Sequence, residues 1–82
     1  MLKPEELRRF REWLAEVTRD GVVAPFVRSL TDAEVREVAN YLADSGVRFN
    51  GGEPVARNLD RLYEALEEAF IEVAHNRAKW RR

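Results

Sequence analysis

The sequence predicts an all-α fold, a three-helix bundle-like domain with a long C-terminal helix. Apolar residues recur at helical spacing in three separate stretches, a capping box opens the second, and glycines or prolines punctuate the gaps between them. At 82 residues the chain has the size of one domain, taken as residues 1–82. A domain so small buries only a thin core, and often gains stability from a second copy or a partner.

The first helix is expected over about residues 4–20. Pro4 suits the first helical position, and Glu5 and Glu6 meet the positive end of the dipole. Leu7, Phe10, Leu14 and Val17 form its apolar stripe, with Trp13 at the edge, and Gly21 supplies the stop. The run from Val22 to Val27 is an apolar connector, expected to be buried against the bundle and in part to form a short helical turn.

The second helix, about 31–45, begins at Thr31-Asp32-Ala33-Glu34, a capping box in which Thr31 and Glu34 satisfy each other's backbone amides. Leu30 is placed to staple onto Val35 or a neighbour. Val35, Val38, Ala39 and Leu42 form the buried stripe, flanked by Tyr41, and Ser45-Gly46 ends the helix. Asn50-Gly51-Gly52 then demands positive φ and reads as a turn, with room for an extended residue pair beside it.

The third helix is expected to open at Pro54 and run to about residue 80, roughly 40 Å at 1.5 Å per residue. Val55, Leu59, Leu62, Leu66, Phe70 and Val73 share one stripe. Tyr63, Ile71, Ala74 and Ala78 widen it on one side, and Ala69 and Trp80 on the other. The arc covers about half the circumference, where packing on one neighbour needs little more than about 100°. Either this helix packs against both others and the connector, or Ile71, Ala74, Ala78 and Trp80 project beyond them as a contact surface. Arg77, Lys79, Arg81 and Arg82 also read two ways, as cations at the carbonyl end of the helix or, with Trp80, as an anchor for a partner.

Composition narrows the function classes. Hydrophobic residues at 45% and charged residues at 35% describe an ordered, soluble chain. No apolar run reaches the roughly 18–20 residues of a membrane span, and the N-terminal residues lack the plan of a signal peptide, so a cytoplasmic protein is expected. The absence of cysteine excludes disulfides, iron–sulfur clusters and thiolate zinc sites. His75 is the one histidine. With Glu72 and Glu68 it has the spacing of carboxylate di-iron helices, but these residues lie opposite the Leu66 stripe and read as a solvated face. Gly51-Gly52 before a helix offers amides to an anion, a weak signal on its own. Ser29, Thr31 and Ser45 read as capping or turn residues. No catalytic residue, cofactor, metal ligand or small-molecule substrate is therefore expected.

The stretch from Pro25-Phe26 through Ser29-Leu30-Thr31 to Tyr41-Leu42 resembles the C-terminal helix of class I cytochromes c. Without Cys-x-x-Cys-His or a methionine at the axial position, haem is not expected. Glu34 to Leu62 resembles the helix-turn-helix of arginine-repressor-type winged domains, at Val38, Leu42, Gly46-Val47, Phe49-Asn50, Val55-Ala56-Arg57, Leu59 and Leu62. That resemblance implies a DNA-binding regulator. Arg57, Asn58 and Arg61 would stand on the first turns of a recognition helix with Arg48 beside them, and Arg and Asn suit guanine and adenine edges. Net charge is −1, which argues against the simplest electrostatic form of this reading.

Two functional expectations follow. The first is a small non-enzymatic protein-binding, assembly or regulatory protein. It would use the wide face of the last helix, with Tyr63, Ile71, Ala74 and Trp80 as contacts to a protein partner or a second copy, a dimer being the favoured homo-oligomer. The alternative is nucleic-acid binding through Arg48, Arg57, Asn58 and Arg61.

Overall fold

A computed structural model describes residues 2–19 and 21–80, Trp80 by its backbone alone. The chain is mainly α-helical, with a small two-stranded sheet. In order, the elements are α1 (Pro4–Thr18), α2 (Ala24–Arg28), α3 (Asp32–Asp44), β1 (Arg48–Asn50), β2 (Glu53–Val55) and α4 (Leu59–Trp80). The three expected helices are present, but α2 and the hairpin make the architecture more than a three-helix bundle.

Helix α1 starts as its sequence dictates, with Pro4 in the first turn and the Glu6 carboxylate accepting from the Lys3 amide at 2.9 Å. Leu7, Phe10 and Leu14 are buried as expected. Val17 is not; the buried residue in the last turn is Thr18, whose hydroxyl donates to the Leu14 carbonyl at 2.6 Å. By returning its one polar group to its own helix, Thr18 enters an apolar site without an unmet hydrogen bond.

The connector after α1 is only half covered. Ala24 and Val27 of α2 are buried, whereas Val22 is 98% exposed and Val23 also faces solvent. The expectation of a wholly buried connector fails because a single helical turn presents only one face to the core.

The capping box of α3 forms as read. Thr31 Oγ1 accepts from the Glu34 amide at 3.2 Å, and Glu34 Oε1 accepts from the Thr31 amide at 2.9 Å. Beyond Asp44, Gly46 at φ +90° lets the Val47 amide return to the Leu42 carbonyl at 3.0 Å, which closes the helix and buries Val47.

The expected helix start at Pro54 is overturned. Gly51 and Gly52 both have positive φ, as a type I′ turn requires, and they pair β1 with β2 antiparallel, Phe49 opposite Pro54. Pro54 and Val55 are therefore strand residues. Gly52 also lies so close to α1 that a Cβ there would collide with the Glu6 carbonyl oxygen and stand 3.0 Å from Arg9 Cβ. Phe49 follows the turn inward and meets Phe10 edge-on, ring centroids 5.5 Å apart. The effective start signal is Asn58, which accepts from the Asp60 amide through Oδ1 at 2.9 Å and from the Leu62 amide through its carbonyl at 3.2 Å.

Phe10, Leu14, Leu30, Val35, Val38 and Leu42 are fully buried, and α4 closes over them with Leu62, Ala65, Leu66, Ala69, Phe70 and Val73. Val55 and Leu59, assigned to that stripe by periodicity, are exposed. Helix α4 is about 33 Å long by its 22 residues, and the longest dimension of the molecule is 38 Å.

Candidate functional site

Helix α4 gives one face to the core and leaves a flank open on either side. Each flank borders a concavity, and the two differ in chemistry because the neighbouring elements differ.

On the first flank, the C-terminal end of α1 and the turn after it face α4 across a groove of about 540 Å³. Val17, Val23, Tyr63, Leu66 and Phe70 supply its apolar lining, and Asp60, Glu64 and Glu67 its acidic rim. Farther along α4 on this flank come Ile71, 68% exposed, and the exposed Ala74. Of the expected contact residues, the structure thus places Tyr63 in the groove and Ile71 and Ala74 on the open helix surface beyond it. The side chain of Trp80 lies outside the described residues, as do Arg81 and Arg82. Val17 and Val23 belong to this apolar surface too. Periodicity had assigned Val17 to the core, and the hydrophobicity of the connector had assigned Val23 there.

On the other flank, the end of α3, the hairpin and the first three turns of α4 enclose a groove of about 890 Å³. Arg48, Arg57, Asn58 and Arg61 all line it. The structure therefore gathers every residue of the nucleic-acid expectation, but in a different arrangement. A helix-turn-helix joins its helices by a turn of about 3–4 residues. Here residues 45–58 intervene and hold a hairpin, so Arg57 precedes the helix instead of standing on it. Glu64 and Glu68 line the same groove, and Glu68 Oε2 accepts from the Tyr41 hydroxyl at 3.1 Å. That hydrogen bond to a carboxylate, with Glu72 nearby, raises the Tyr41 phenol above its usual value.

A third cluster ties the far end of α4 to the α2–α3 junction. Arg77 lays its fork on Glu34, Nε to Oε2 at 2.8 Å and Nη2 to Oε1 at 2.6 Å, while Nη1 donates to Ser29 Oγ at 3.1 Å. Its guanidinium also sits 5.2 Å from the centre of the Phe26 ring, which packs edge-on against Phe70. The Arg77 hydrogen bond is the main reason the Glu34 carboxyl falls to about 2, against the raising effect of burial. Neither sequence reading of Arg77, helix-end cation or partner anchor, anticipated this pairing across 43 residues. Nothing in local sequence signals it.

Among the described residues, no three His, Asp or Glu side chains are grouped so as to hold a metal ion, and no helix is long and apolar enough to cross a membrane. Compared with known protein families, with curated proteins and with solved structures, the chain matches none.

Proposed function

We propose that the protein is a small non-enzymatic assembly module that pairs with a second copy of itself along the α1–α4 flank. The observation that carries this reading is the exposure of Tyr63 and Ile71 on one flank of α4, continuous in sequence and helical phase with the groove lined by Val17, Val23 and Phe70. An isolated exposed apolar side chain needs no explanation, but several along one flank do.

Charge along α4 favours a second copy in antiparallel orientation. Asp60, Glu64, Glu67, Glu68 and Glu72, against the single cation Arg61, make the first two-thirds of the helix acidic, and Lys79 makes its end basic, Arg77 there being held by Glu34 of its own chain. A two-fold axis passing near Ile71 sets the acidic part of each copy against the basic end of the other, as an isologous interface requires. The nucleic-acid reading is less well supported, because two carboxylates share the groove that holds its arginines.

Light scattering across a concentration series tests the proposal. A dimer is expected, and Ile71→Glu should shift it to monomer without changing the helical circular dichroism signal. A strict monomer at millimolar concentration, or a dimer indifferent to Ile71→Glu and Tyr63→Glu alike, would remove this reading.

A further inference from the structure

The groove between the hairpin and α4 lies on the opposite flank from the proposed self-association surface, and its charges are sorted. Arg48, Arg57 and Arg61 line it, all three exposed, and among the described residues none of them pairs with a carboxylate or donates a hydrogen bond. Arg11 by contrast is engaged with Leu30 and Asp32, Arg36 with Leu2, and Arg77 with Glu34 and Ser29, while Arg8 and Arg28, also without a partner among the described residues, stand apart from any shared concavity. Three guanidinium groups without an ion-pair partner, gathered at the hairpin end of one concavity, create a positive potential there that attracts a multiply charged anion.

The start of α4 adds to that potential. The helix dipole is positive there, and the acidic residue of its first turn, Asp60, lines the other groove. Gly46 lines the groove as well, with nothing within 4 Å of the position a Cβ would take. The floor is apolar, formed by Val47, Leu62 and Ala65.

Farther along α4, Glu64 and Glu68 reverse the sign. A polynucleotide backbone running the length of the groove would meet both carboxylates. A compact dianion held by the arginines would not, and the body attached to it could offer hydroxyl or amino donors to Glu64. The volume of about 890 Å³ lies within the roughly 300–1,000 Å³ of sites that hold small molecules.

We infer that this groove binds a small phosphomonoester of the nucleotide or sugar-phosphate class. Arg48, Arg57 and Arg61 hold the phosphate, and Glu64 accepts a hydrogen bond from the hydroxyl-bearing body. Arg is suited to the first task because its planar fork matches two phosphate oxygens at once. Glu68, occupied by Tyr41, sets the acidic limit of the site.

Calorimetric and NMR titrations of the full chain at low salt test the inference, with inorganic phosphate, adenosine 5′-monophosphate, ribose 5-phosphate, adenosine and a short DNA duplex as probes. At least one monoester should bind saturably and more tightly than inorganic phosphate, and adenosine should not bind. Arg57→Gln with Arg61→Gln should weaken the monoester tenfold or more, since each charge-assisted hydrogen bond contributes roughly that much. Glu64→Gln should weaken the monoester and leave inorganic phosphate unchanged or tighter. Circular dichroism of each variant separates loss of binding from loss of fold. Three results would overturn the inference: no saturable binding of either monoester, inorganic phosphate binding as tightly as both monoesters (an adventitious ion only), or duplex DNA outcompeting them with a steep salt dependence. Light scattering on Glu64→Gln separates any change of oligomeric state from loss of binding, because Glu64 borders both grooves.

Discussion

Removing the charge of Glu34 while keeping its shape tests whether the Arg77–Glu34 clamp holds the far end of α4 in place. Glu34→Gln retains a side-chain oxygen for the Thr31 amide, so the capping box survives and the charge is the main thing lost. In the folded protein the Glu34 carboxyl drops from 4.5 to about 2. At about 1.4 kcal/mol per tenfold change in proton affinity, that displacement caps its contribution at roughly 3.4 kcal/mol. The two side chains keep 17% and 26% of their surface in contact with water, so screening reduces the figure to about 1–2 kcal/mol. Because the folded carboxyl is the stronger acid, this stability is complete above the unfolded value near 4.5 and is lost as pH falls towards 2. Urea denaturation from pH 7 to pH 2.5 should show the parent chain losing about 1–2 kcal/mol more than Glu34→Gln, nearly all below pH 4.5. Other carboxylates titrate in both proteins and cancel in the comparison. Parallel stability profiles would show that the ion pair contributes nothing net, and that Phe26 stacking and the Ser29 hydrogen bonds position Arg77.

Two glycines with similar φ should respond differently to alanine. Gly52→Ala drives a methyl into the Glu6 backbone and should cost roughly 3 kcal/mol, whereas Gly46→Ala meets open space and should cost only about 1 kcal/mol of backbone strain. Equal costs in urea denaturation would mean that the hairpin does not pack on α1. Leu42→Ala should cost about 2–5 kcal/mol by thermal denaturation, since Leu42 is fully enclosed and its site has little freedom to collapse. Asn58→Ala should cost about 1 kcal/mol as a lost helix cap, while its neighbour Arg57→Gln should change stability by less than about 0.5 kcal/mol.

Much of the fold was legible locally. Thr31 and Glu34 sit three residues apart, so the capping box is complete before any tertiary contact forms, and Leu7, Phe10, Leu14, Val35, Val38 and Leu42 follow a helical period that only one buried face can satisfy. The Asn50-Gly51-Gly52 turn was readable for the same reason, because its positive φ is a property of the residues themselves.

The errors arose where a local signal had two outcomes. Pro54 serves equally as a first helical residue or a residue of a short strand. The contact of Phe49 with Phe10 and the fit of Gly52 onto α1 select the strand. Those contacts lie some forty residues apart in the chain, and that hairpin moves the helix start to Asn58. Val17 and Thr18 exchanged places because a period says which residues share a face but not how far a neighbour covers it. The convergence of Arg48, Arg57 and Arg61, and the fork of Arg77 on Glu34, are likewise products of chain reversal. Caps, turns and periodicity act over three or four residues, so sequence alone determined them. What faces each open flank of α4, and what charges line it, was decided only when packing brought distant segments together.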